Sequence, residues 1–153
     1  MTPSGPKTPP AIPEPLKVLI ADDDPSFRQI LATAVGLLGH SCVVARDGQE
    51  AWEMHLLNRA DVILSDWKMP TLDGLKLCAK VRGNDCATQV HTYFVLLTGR
   101  KDREHVVEGT AAGANEYLTK PLDLEKLKFH LEAARAVIAR WVESVPVERK
   151  HLN

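Results

Sequence analysis

At 153 residues, with 44% hydrophobic and 25% charged residues, the chain has the size and balance of one globular domain with an ordinary apolar core. A net charge of −1 gives no steering toward nucleic acid or an acidic membrane surface, and no apolar run approaches the roughly 20 residues that span a bilayer. The opening residues lack a secretion signal, six histidines form no zinc pattern, and three cysteines without a CxxC pair read as reduced thiols of a cytoplasmic protein, Cys42 and Cys78 being core.

Residues 1–15 hold six prolines and no sustained periodicity, so they read as a flexible or polyproline-like leader outside the fold. "KVLIA" (17–21) is a short apolar strand that runs into acids. Phe27, Ile30, Leu31, Ala34 and Leu38 then recur at helical spacing, closed by Gly39; Asp24 before Pro25 reads as that helix's N-cap with proline at its first position. "SCVVA" (41–45) is a second strand, followed by a helix near 48–58, in which His55 takes an apolar position and reads as a satisfied core-edge histidine. "DVILSD" (61–66) is a third strand, and Asp73 can cap the helix that carries Leu75, Leu77, Cys78 and Val81. "YFVLLT" (93–98), a helix near 102–112 ending at Gly113, "EYLT" (116–119) and a last helix from Asp123 complete the series. The domain spans 16–142, with a short tail at 143–153. Alternating short strands and helices mean right-handed βαβ units and a doubly wound α/β fold, its parallel sheet covered on both faces.

Ligands of such sheets sit beyond the carboxyl ends of the strands. Strand one ends in Asp22, Asp23 and Asp24, strand three in Asp66, strand four in Thr98 and strand five in Lys120-Pro121. Clustered carboxylates repel one another, and an all-oxygen set of this hardness suits Mg²⁺ or Mn²⁺. A hydroxyl and an ammonium beside a metal-bound carboxylate form a phosphoryl site, in which Asp66 can act as a nucleophile and form an acyl phosphate. Taken singly, Asp22 and Asp23 are equally solvated turn residues, Lys120 a surface lysine and Thr98 strand filler; the set is what carries the chemistry.

"VLIADDDP", "DVILSDWKMPTLDGL", "LLTG" and "GANEYLTKPLD", in this order and spacing, make Lys17 to Arg140 similar to the receiver domain of two-component response regulators, with "SDWKMP" close to the chemotaxis-type phosphorylation loop. The resemblance implies a flavodoxin-like sheet of five strands in the order 2-1-3-4-5 flanked by five helices. It implies that Asp66 takes a phosphoryl group from a sensor histidine kinase or phosphotransfer protein. It also implies that Asp23, Asp66 and the Lys68 carbonyl bind Mg²⁺, with Asp22 acting through water. Thr98 and Lys120 would contact the phosphoryl group, a cis Lys120-Pro121 bond aiming the lysine. Thr98 and Tyr117 match the switch pair that reshapes the face of helix 102–112, strand 116–119 and helix 123–141 for a downstream protein partner. Lys68 and Arg100 depart from the family pattern with basic side chains and are expected to tune phosphoryl lifetime; as an alternative both are solvated loop cations. Gly99 leaves the phosphoryl pocket open.

Leu124, Leu127, Leu131, Ala134, Ile138 and Trp141 form a heptad-like stripe whose end is expected either to project as a homodimer seam or partner dock, or to fold against its own domain. Beyond Glu143 about ten residues remain, too few for an output domain, which favours a stand-alone signalling module without direct nucleic-acid binding or membrane insertion. The alternative is the receiver part of a longer regulator with an enzymatic or DNA-binding output. A haloacid-dehalogenase-type phosphatase would want an aspartate two residues after the nucleophile, where Lys68 stands, so the chain reads as a self-phosphorylating and self-dephosphorylating module rather than an enzyme.

Overall fold

The computed structural model describes residues 14–99 and 103–144. Five strands alternate with five helices: β1 (Lys17–Ala21), α1 (Pro25–Leu37), β2 (Ser41–Ala45), α2 (Gly48–Leu57), β3 (Val62–Asp66), α3 (Gly74–Thr88), β4 (Tyr93–Thr98), α4 (Arg103–Ala112), β5 (Glu116–Thr119) and α5 (Leu124–Ser144). The strands form one parallel sheet in the order β2-β1-β3-β4-β5. This is the doubly wound, flavodoxin-like arrangement expected of the sequence. β1, β3 and β4 are buried over nearly all of their residues because they are covered on both sides, and alternate apolar residues feed two cores. One core gathers Ile20, Leu64, Val95 and Leu97 with Leu31, Leu127 and Leu131; the other gathers Leu19, Ile63, Phe94 and Leu96 with Leu77, Cys78 and Val81. β2 is an edge strand and leaves Val43 and Val44 exposed.

Carboxylates start the helices. Asp24 accepts from the Ser26 N–H at 3.0 Å with Pro25 at the first helical position, Asp47 accepts from Glu50 N–H at 2.8 Å, and Asp73 accepts from Lys76 N–H at 2.8 Å. Each satisfies an amide that a helix start leaves unpaired. Asp123 does the same for α5 through the Glu125 and Lys126 amides.

One expectation is corrected, and one left open is decided. Of the α1 stripe, Leu31 and Ala34 are buried and Phe27 and Leu38 pack on the first core, but Ile30 is 52% exposed and Val35 takes the buried place instead. The end of α5 does not project. Val137, Ile138 and Trp141 pack on the first core, with the Trp141 ring 5.0 Å from that of His91 and 6.5 Å from that of Tyr93. The reason is length. Twenty-one helical residues extend about 30 Å, well beyond strands of five or six residues, so the last turns close over the edge where β4 begins.

Candidate phosphoryl and metal site

β1 and β3 are neighbours in register, so the acids that follow them meet at one edge of the sheet. One oxygen from each of Asp22, Asp23 and Asp66 lies within 4.8 Å of the others. Asp22 is fully buried. Its Oδ1 accepts from the Asp24 N–H at 2.9 Å, and its Oδ2 faces the Lys120 ammonium at 3.1 Å as an ion pair without a donor in hydrogen-bond geometry. Asp66 is half-buried, with Oδ1 3.4 Å from Lys120 Nζ and accepting from the Trp67 N–H at 2.8 Å; Asp23 is exposed.

The electrostatics follow. Burial, then the Asp22 charge, push the Asp66 carboxyl above its usual range, against the opposing pull of Lys120 and the Trp67 amide. Burial pulls Lys120 down, but the close Asp22 and Asp66 carboxylates prevail and hold the ammonium above its usual value. One cation shared by two carboxylates leaves the acidic cluster under-compensated, a donor set suited to a hard divalent ion.

Lys120 directly follows β5, its peptide bond to Pro121 is cis, and its amide donates to the Thr98 carbonyl at 2.8 Å. Thr98 ends β4 and is 8% exposed. A Cβ built at Gly99 meets nothing within 4 Å, so there is room beside Thr98. The loop after Asp66 turns back sharply, the Gly74 amide donating to the Trp67 carbonyl at 2.7 Å. Residue 74 must be glycine: a Cβ there would lie 2.3 Å from the Asp66 carbonyl oxygen and 2.9 Å from Leu96 Cδ2. Lys68 stands exposed on this loop.

Residues 18–132 match the family model of the response regulator receiver domain. The chain belongs to that family. As a receiver it is 37% identical over 128 residues to the response regulator MprA of Mycobacterium sp. strain KMS, covering 82% of this chain and 52% of that protein. It is 37% identical over 125 residues to MprA of Mycobacterium tuberculosis strain H37Rv, 82% and 51% covered. The chain therefore spans about half the length of these curated relatives. Among solved structures it is similar to the chemotaxis protein CheY4 of Vibrio cholerae, with a TM-score of 0.72, 33% identity, and 78% of this chain and 98% of that chain covered. The receiver domain of the Francisella response regulator 1452 is similar too, with a TM-score of 0.70, 34% identity, and 78% and 95% covered. The protein is thus a component of the two-component signalling class, and among its described residues no helix is long and apolar enough to cross a membrane.

The receiver geometry brings Asp22, Asp23, Asp66 and Lys120 together, with Thr98 on the adjoining strand end. Tyr117 stands on β5 with its hydroxyl 2.9 Å from Thr110 Oγ1 of α4. Arg100 lies outside the described residues. Sequence reasoning passed over two neighbours of the site on α1. The Arg28 guanidinium donates to the Asp22 carbonyl at 2.8 Å, and the Phe27 ring lies under the Lys120 ammonium, 4.4 Å from Nζ to centroid. Both are first-turn residues of the helix that follows the acids, a position readable from "DDDPSFR".

Proposed function

We propose that Asp66 is the phosphoacceptor of a Mg²⁺-dependent signalling reaction. The observation that carries it is the meeting of three carboxylates and one ammonium at the end of β3. An ionised Asp66 oxygen attacks the phosphorus of a phosphohistidine on a sensor kinase or phosphotransfer protein. The new O–P bond forms as the N–P bond breaks, and the imidazole nitrogen leaves with the electron pair. Asp23, Asp66 and the Lys68 carbonyl would hold Mg²⁺ (or Mn²⁺), with Asp22 acting through water; when bound, the ion neutralises charge building on the transferring oxygens. Lys120 exchanges a carboxylate for a phosphoryl oxygen, and Thr98 supplies a hydroxyl to another. Lys68 and Arg100, the basic residues two positions after Asp66 and Thr98, tune how long the acyl phosphate survives.

The readout is a change in the α4-β5-α5 face. Thr98 moves toward the phosphoryl group, and Tyr117 exchanges its place beside Thr110 for an inward one, altering the surface offered to a protein partner. A homodimer would use side chains other than Ile138 and Trp141, because those pack within the domain; Leu124, Phe129 and Val142 are exposed apolar residues of α5. Function in the cytoplasm, a proline-rich leader at 1–15, the domain at 16–142 and a tail at 143–153 belong to this reading. The half-length match to the curated relatives favours one alternative, the receiver part of a longer regulator with an output domain.

Intact-protein mass spectrometry after incubation with Mg²⁺ and acetyl phosphate tests the proposal. One phosphoryl adduct is expected, absent after chelation of Mg²⁺ and absent in Asp66→Asn. An adduct that persists in Asp66→Asn would refute it.

A further inference from the structure

Phe27 is half-buried, and its ring packs on the core shared by α1, α5 and the sheet. The segment that carries the acids fixes its place. The Asp24 amide is tied to Asp22 Oδ1, Asp24 caps the Ser26 amide, Pro25 opens the helix, and the Arg28 guanidinium returns to the Asp22 carbonyl. The ring therefore moves with the carboxylates rather than independently of them.

Asp22 Oδ2 at 3.1 Å, Asp66 Oδ1 at 3.4 Å and the π face of Phe27 at 4.4 Å meet the Lys120 ammonium among the described residues. The face of an aromatic ring attracts a cation through its quadrupole but offers no lone pair that must be desolvated or given up. A third carboxylate here would hold the ammonium too firmly for it to transfer to a phosphoryl oxygen. An aliphatic side chain would leave the ammonium free to swing toward solvent. We infer that Phe27 is a positioning residue for phosphoryl transfer, its ring keeping the Lys120 ammonium on the acceptor side of the site while that ammonium changes partners. The inference rests on Asp66 as acceptor and adds to it a residue that touches neither metal nor phosphoryl group.

The test is the initial rate of phosphoryl uptake from acetyl phosphate by the 153-residue chain at saturating Mg²⁺, a small donor that removes kinase docking from the measurement. Phe27→Leu keeps apolar bulk and loses the π face, and is expected to slow uptake roughly three- to tenfold. Phe27→Tyr keeps the face and is expected to recover most of the rate. Mono-, di- and trifluorophenylalanine at position 27 hold shape nearly constant while draining the ring's negative face, so the rate should fall stepwise with fluorine number. A packing role predicts no such series. Equal rates in wild type and Phe27→Leu, or a flat fluorine series, would overturn the inference while leaving Asp66 as acceptor. A wild-type chain that takes up no phosphoryl group would overturn both.

Discussion

The His55 ring is buried in α2 with half of its polar capacity met: Nδ1 accepts from the Ala60 N–H at 3.1 Å, and Nε2 has no hydrogen-bond partner. Burial, reinforced by the Arg59 charge, lowers its pKa to about 4. The native state therefore holds this ring neutral where the unfolded chain would protonate it, so its contribution is complete above pH 6.5 and is lost as pH falls toward 4. The expected loss by pH 4.5 is about 2–3 kcal/mol. Urea unfolding at pH 7 and pH 4.5, in wild type and His55→Gln, measures it: the difference should shrink in the variant. The sequence reading of a satisfied histidine was half right. An apolar helix position predicts burial, but whether both nitrogens find partners depends on the α2–β3 connection, which periodicity does not describe.

At the scale of elements, the contact between α4 and β5 fixes where the Tyr117 ring rests. A Cβ at Gly109 would lie 2.5 Å from Tyr117 Oη and 2.8 Å from both Tyr117 Cε1 and Leu96 Cδ1. Helix propensity favours alanine over glycine by about 0.5–1 kcal/mol, whereas overfilling a packed contact costs about 1–3 kcal/mol. Gly109→Ala should therefore destabilise by about 1 kcal/mol and drive the Tyr117 ring from its place, and should cost less in a Tyr117→Ala background. Thermal unfolding of the four proteins of this cycle provides the check. Helix α5 shows what the sequence concealed at this scale. Apolar residues at spacings of three and four were legible, but a stripe reads alike whether it faces its own domain or a second chain. Only the overhang of α5 beyond β4 sends Trp141 to His91 and Tyr93. Ile30 misled for a similar reason: the spacing locates a helix, and one position of rotation decides which apolar side chain meets the sheet.

Over the whole molecule, the carboxyl ends of the strands carry the acidic cluster and the opposite edge carries an ionic lock. Asp85 is buried near the end of α3, with Arg59 at 2.6 Å and Arg82 at 2.7 Å. Arg59 also donates to the Thr92 hydroxyl and the Val90 carbonyl, and Arg82 to the Thr92 and Gly113 carbonyls and to Asn115 Oδ1. The network joins the α2–β3 and α4–β5 connections to the start of β4. Asp85→Asn should cost about 3 kcal/mol, near the low end for a broken buried pair because both guanidinium groups keep some water contact; urea unfolding at neutral pH reports it. Nothing in the local sequence marked Asp85, since an aspartate in a polar helix end looks solvated until its partners from residues 59 and 92 arrive. The strand-end residues were legible because one topological rule gathers them: Asp22, Asp66, Thr98 and Lys120 each follow or end an apolar run. Phe27 was legible as core and not as a partner of Lys120, because a cation over a ring leaves no spacing signature.

The central claim is that this arrangement makes Asp66 the acceptor. Its most direct test is borohydride reduction of the chain phosphorylated with acetyl phosphate and Mg²⁺, followed by peptide mass spectrometry. An acyl phosphate on Asp66 is reduced to the alcohol, so homoserine should stand at position 66 and nowhere else. Homoserine at Asp22 or Asp23, or a phosphate that resists reduction on a hydroxyl side chain, would contradict the account.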